Sequence, residues 1–150
     1  GFFGSLSVVI WPERRSSART RAMNSFGWNG FVMYSSAPAS RPEATRNQVA
    51  VNSPELDAGA AYYGAQPEAV QVPQIGARMI LHYGGLDERI NAGIPAYRTA
   101  LDQAGVEHEI FVYDGANHAF NNDTSAARYD KAAADLAWSR TIAFLKATLG

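Results

Sequence analysis

From Thr45 onward the chain alternates short apolar runs with longer segments of helical spacing. Ala58 to Tyr63, Ala77 to Tyr83 and Glu107 to Tyr113 are rich in aliphatic and aromatic residues, and each ends at a glycine or an Asp-Gly pair. Such runs predict buried strands. Thr45 to Asn52 suits a short helix stopped by Ser53-Pro54. A second helix is expected from around Asn91–Pro95, with Pro95 in its first turn. Tyr97, Ala100, Leu101 and Ala104 line one face, and Gly105 closes it. A long helix is expected from about Ala126 to Leu149, capped somewhere in Asn121–Ser125. Its apolar stripe of Trp138, Ile142, Leu145 and Leu149 should pack on the sheet. Strands alternating with helices imply a parallel sheet with right-handed crossovers.

The first third reads differently. Phe2, Phe3, Leu6, Val8, Val9, Ile10 and Trp11 allow a short strand ended by Pro12, but no clear period runs from Glu13 to Arg46. Arg14 to Arg21 is polar and basic, and Ser35 to Pro42 is a cluster of chain breakers. Between them lie Phe26, Trp28 and the run Phe31-Val32-Met33-Tyr34, interrupted by Gly27 and Gly30. This third offers at most two more strands, and a parallel sheet must be covered on both faces. The fold class is therefore α/β, with a sheet that looks incomplete towards the amino terminus.

Composition sharpens the division. Residues 1–47 hold six arginines, no lysine and two glutamates, a net +4, whereas residues 48–150 hold seven basic against twelve acidic residues, a net −5. The arginine run is expected to be a solvated or poorly ordered segment rather than an anion-binding arm. Over the whole chain the net charge of −1 gives no reason to expect nucleic-acid or anionic-membrane partners. No apolar run approaches the ~20 residues of a membrane span, and no signal peptide opens the sequence. The chain starts at Gly1, so the native start is expected upstream; the compartment defaults to cytoplasmic, and the oligomeric state stays open. Without cysteine there is no disulfide, thiolate metal site or thiol nucleophile, and the three histidines lack a zinc-binding spacing.

The chemistry gathers where strands end. His118 follows the strand ending at Tyr113, on a tight loop beginning Asp114-Gly115, and Asp87 follows the strand ending at Tyr83, after Gly84-Gly85. Open α/β sheets place their sites at this edge. The two residues are separated by one strand–helix–strand unit, which sets them on neighbouring loops. Acid before histidine is also the chain order of α/β-hydrolase triads. Asp114 is expected to be a turn former. His82, inside a strand, is expected in the core or on a sheet face, and His108, beside two glutamates, in solvent. Tyr62 and Tyr63 end a strand on the same rim, where one of them could shape a substrate pocket.

Tyr62-Tyr63-Gly64, Gly84-Gly85-Leu86-Asp87, Tyr113-Asp114-Gly115-Ala116-Asn117-His118-Ala119-Phe120 and the helix around Ala132 to Trp138 resemble the dienelactone hydrolase family. The likeness runs from about Asn47 to Leu149. It implies the carboxyl-terminal part of an α/β-hydrolase sheet and a carboxymethylenebutenolidase-like activity on small esters or lactones, with no cofactor and no metal. By position it assigns Asp87 as the triad acid and His118 as its base, and it puts Asn122 where the family holds its substrate; Tyr63, from its place on the rim, is the other expected substrate-binding residue.

Two departures qualify the likeness. The family's nucleophile is a cysteine in a Gly-x-Cys-x-Gly elbow just before a helix like Thr45–Asn52. Here the text is Gly30-Phe31-Val32-Met33-Tyr34-Ser35-Ser36-Ala37-Pro38, too bulky for a strained elbow. Residues 1–46 are thus expected to be an atypical segment, poorly ordered or foreign to the family, as a shifted reading frame over about 13–46 would produce. Secondly, the arginine that dienelactone-specific members carry four residues after the histidine is Asn122, which favours another small ester or lactone. Activity is expected to be weak or absent. The rival readings are a non-catalytic α/β module that binds a small ligand or a partner, and a serine esterase using Ser35 or Ser36.

Overall fold

The computed structural model describes residues 6–10, 31–34, 46–54, 56–123 and 125–150, with side chains from Asn47 onward. In chain order the elements are β1 (Leu6–Ile10), β2 (Phe31–Tyr34), α1 (Arg46–Asn52), β3 (Leu56–Tyr62), a 3₁₀ helix (Ala69–Gln74), β4 (Arg78–Gly84), α2 (Glu88–Asn91), α3 (Ile94–Ala104), β5 (His108–Tyr113) and α4 (Lys131–Leu149). The sheet is five-stranded and parallel in the order β2-β1-β3-β4-β5. The three strands expected from the later chain are present, and the first third supplies two more. Tyr62 pairs with His82, and Gly84 with Tyr113, so the carboxyl ends of β3, β4 and β5 share one edge.

Side chains alternate across β4 with the two-residue period of a strand. Met79, Leu81 and Tyr83 enter one core with Val51, Leu56, Val72, Tyr97 and Leu101, under α1, α3 and the 3₁₀ helix. Ile80 faces the opposite core with Ala58, Ala60, Phe144 and Leu145 of α4. Both faces of the central strands are covered, as a parallel sheet requires.

The long helix differs from its expected form. It starts at Lys131, where the Asp130 side chain accepts from the Ala133 amide at 3.0 Å. The alanine-rich stretch before it has helical propensity but is drawn into turns, with the Asp130 amide bonded to Phe120 O at 2.9 Å. Its buried face is Ala133, Ala134, Ala137, Thr141, Phe144 and Leu145, while Trp138, Ile142 and Leu149 are only part-buried. Small residues win the contact because they let the helix axis approach the sheet closely. Replacing Asp130 by Ala should lower stability by about 1 kcal/mol, read as a fall in thermal midpoint. An unchanged midpoint would mean that the cap contributes nothing.

His108 also departs from expectation. It is not solvated: its side chain is 9% exposed, with Nδ1 2.8 Å from Val106 O and Nε2 3.7 Å from Asp102. His82 is fully buried, as expected for a strand interior. The 3₁₀ helix and one-turn α2 were not foreseen, being too short for a helical period to register.

Candidate active site

Two loops meet at the shared edge. The first turns from β4 through Gly84 and Gly85 to Asp87, and the second turns from β5 through Asp114-Gly115 to His118. Backbone hydrogen bonds join them, from Gly85 N to Tyr113 O at 2.8 Å and from Leu86 N to Ala116 O at 3.0 Å. The Asn91 side-chain amide donates to Gly84 O at 2.9 Å and Gly85 O at 3.3 Å, tying the first loop to α2. Asp87 is the N-cap of that helix, its Oδ1 accepting from the Ile90 amide at 3.4 Å.

The other carboxylate oxygen of Asp87 lies 2.5 Å from His118 Nδ1. The Asp87 side chain is 9% exposed and that of His118 36%. A carboxylate acceptor places the proton on Nδ1, which leaves Nε2 with its lone pair. Nε2 has no hydrogen-bond partner among the described residues. An imidazole held in this way can take a proton from a hydroxyl, thiol or water and return it to a leaving group.

The backbone around His118 is strained. Tyr63 (φ 45°) and Ala119 (φ 66°) are the two non-glycine residues with positive φ among the described residues. Ala119 follows His118, and the Tyr63 ring packs on the imidazole with centroids 5.2 Å apart. The Tyr63 hydroxyl accepts from the Asn121 amide at 3.1 Å, just beyond Ala119. Strain of this kind costs roughly 1–3 kcal/mol per residue and clusters at functional sites.

Asp87 and His118 border an open cleft of about 380 Å³, lined also by Leu86, Arg89, Asn117 and Arg128. Tyr63 is fully buried behind His118 and Asn122 is 6% exposed, so both lie outside the lining. Ser35 and Ser36 fall outside the described residues. The pattern of the chain did not single out Arg89, Arg128 or Asn91. The arginines sit on a one-turn helix and in irregular chain, where no period marks a face. In the sequence Asn91 marks only the start of a helix. Neither the Arg89 nor the Arg128 side chain makes an ion pair or hydrogen bond with a described residue. No group of three or more potential metal ligands occurs among the described residues.

A parallel sheet presenting Asp and His on consecutive strand-end loops defines an α/β-hydrolase-type protein. More specifically, the chain belongs to the dienelactone hydrolase family, whose sequence profile matches residues 45–149. It is 35% identical over 100 residues to the "Putative carboxymethylenebutenolidase" of Saccharolobus solfataricus, covering 66% of this chain and 38% of that protein. The crystal structure of the "Putative Dienelactone Hydrolase" from Klebsiella pneumoniae superposes with a TM-score of 0.63 at 25% identity, over 83% of this chain and 56% of that one. A dienelactone hydrolase-like promiscuous phosphotriesterase from metagenomic libraries shares the fold at 13% identity, with a TM-score of 0.70 over 98% of this chain and 88% of that one. The chain thus spans well under two thirds of the length of the Saccharolobus and Klebsiella relatives.

Proposed function

We propose that this chain carries the acid–base part of a small-ester or lactone hydrolase, with His118 as base and Asp87 as the residue that orients it. The observation that carries the reading is the 2.5 Å bond from His118 Nδ1 to Asp87, beside a cleft and with Nε2 unengaged by any described residue. Nε2 would take the proton of a nucleophile as that nucleophile attacks the ester carbonyl carbon. The carbonyl π electrons move onto oxygen, and collapse of the tetrahedral adduct expels the alcohol oxygen, which recovers the proton from the imidazolium. The Asp87 carboxylate stabilises the cation in between.

The reading separates membership from competence. A family nucleophile of cysteine has no counterpart in a chain without cysteine. Loss of a triad nucleophile costs on the order of 10⁶ in turnover, so weak or absent hydrolysis is the proposal for this chain. Arg89 and Arg128, whose side chains have no partner among the described residues, favour esters that bear a carboxylate, since guanidinium binds carboxylates in a fork of two hydrogen bonds.

The test is hydrolysis of p-nitrophenyl acetate against the mono-p-nitrophenyl ester of succinate. Slow turnover above buffer is expected, faster for the acidic ester, and at least about tenfold lower in His118→Ala. Arg89→Ala and Arg128→Ala should narrow the gap between the two esters. Turnover unaffected by His118→Ala would sink the assignment. Loss of turnover in a Ser35→Ala, Ser36→Ala double variant would identify a serine nucleophile. Saturable binding without turnover would instead favour the non-catalytic ligand-binding module, for which the missing cysteine is the supporting observation.

A further inference from the structure

Beneath the rim lies a chain of buried polar side chains that the acid–base chemistry does not use. His82 is fully buried on β4, with Nδ1 2.9 Å from the Tyr113 hydroxyl and Nε2 2.9 Å from Thr141 Oγ1. Thr141 Oγ1 lies 2.8 Å from the Tyr62 hydroxyl. The His82 ring sits between Tyr62, at 4.5 Å, and Phe111, at 5.9 Å between centroids. The four residues come from β3, β4, β5 and α4.

Donors and acceptors along this chain share one sense from end to end, and either of two opposite senses satisfies every bond. Arg140 lies with its guanidinium carbon 4.1 Å from the Phe111 ring centre and 5.5 Å from that of Tyr113. In the first sense the Tyr113 O–H donates to His82 Nδ1. A neutral imidazole that accepts at Nδ1 must donate at Nε2, to Thr141 Oγ1, and the threonine hydroxyl passes its proton towards Tyr62. In the opposite sense Tyr62 donates to Thr141, Thr141 to His82 Nε2, and His82 Nδ1–H to the Tyr113 oxygen.

Each strand residue in the network touches the site through its own backbone. The Tyr113 carbonyl accepts from Gly85 N at 2.8 Å and Ala116 N at 3.1 Å, so it joins the Asp87 loop to the His118 loop. The His82 carbonyl accepts from Tyr63 N at 2.7 Å, and Tyr63 is the residue whose ring supports His118. Tyr62 precedes Tyr63 directly. A buried polar set of this size is not needed for stability, because apolar groups of the same shape would do as well. We propose that Tyr113, His82, Thr141 and Tyr62 form a positioning network that holds three strand ends against α4 and thereby fixes His118 against Asp87. The proposal rests on the acid–base reading of that pair.

The test reads the pair directly by proton NMR on the full 150-residue chain. The His118 Nδ1 proton should give a far-downfield resonance that Asp87→Asn abolishes. In Thr141→Val, which removes the shared hydroxyl at equal volume, that resonance should move upfield and broaden while far-UV circular dichroism stays unchanged. Thr141→Ser should restore it. A sharp, unshifted His118 resonance in folded Thr141→Val would overturn the proposal. Should that variant fail to fold, Tyr62→Phe, which deletes only the terminal hydroxyl, must move the resonance in the same sense, and an unmoved one again overturns it. Absence of any Asp87-dependent resonance in the parent would remove the pair itself, and the acid–base reading with it.

Discussion

Gly84→Ala is expected to cost about 3 kcal/mol or more, the upper range for forced overpacking, and to dismantle the His118 loop. A Cβ at this position would stand 2.5 Å from Asn117 O and 2.7 Å from Ala116 O, with the Asn117 carbonyl carbon at 2.8 Å. All three are backbone atoms of the loop that carries His118, so no rotamer change can relieve them. The loop cannot withdraw freely either, because Leu86 N holds Ala116 O and Gly85 N holds Tyr113 O. Gly115→Ala is the internal control. Its φ of 73° imposes a left-handed conformation, but a Cβ there meets no atom within 4 Å. Its cost should stay near 1–2 kcal/mol. Urea unfolding of both variants decides the matter. A Gly84→Ala midpoint no lower than that of Gly115→Ala would mean that the two loops move apart easily.

Close loop contact also explains why the Asp–His pair was legible from the chain alone. Asp87 and His118 each follow a strand and a glycine turn, and one crossover separates them. Parallel register then leaves little freedom in where they meet. The strands were legible because their apolar runs end at glycines, and α3 because Pro95 and Gly105 mark its ends. The start of α4 was not, because the alanines before Asp130 have helical propensity and only a tertiary bond, from Asp130 N to Phe120 O, draws them into turns. The buried face of α4 was missed for a related reason. Large apolar residues dominate the helical stripe in the sequence, whereas close approach to the sheet selected Ala134, Ala137 and Thr141. Thr141, a polar residue outside the apolar stripe, is the point where the helix bonds to His82 and Tyr62. Nothing in the chain's periodicity marks Arg128 or Asn91, whose partners and surroundings are set by loop geometry.

The burial of His82 makes the stability of the fold depend on pH. Burial, with the Arg140 charge adding to it, pushes its pKa down from 6.5 to about 3. Between those values the unfolded chain binds a proton at this residue and the folded chain does not. Stability therefore rises with pH across the window and is fully present above about 6.5. On acidification it is lost progressively until the pH passes about 3, with a slope approaching about 1.4 kcal/mol per pH unit from this residue. Protonation there would place an unsolvated charge in the core and would make both ring nitrogens donors, so the one that accepts in the neutral ring would lose its bond. The measurement is urea unfolding from pH 7 to pH 5, where carboxylates still contribute little. His82→Phe keeps the aromatic stack on Tyr62 and Phe111 but removes the titration. Its absolute stability should be lower than that of the parent, and its dependence on pH should be flatter. Equal slopes in the two proteins would mean that His82 takes up its proton in the folded state as readily as in the unfolded one, and that the network yields to a charge at its centre.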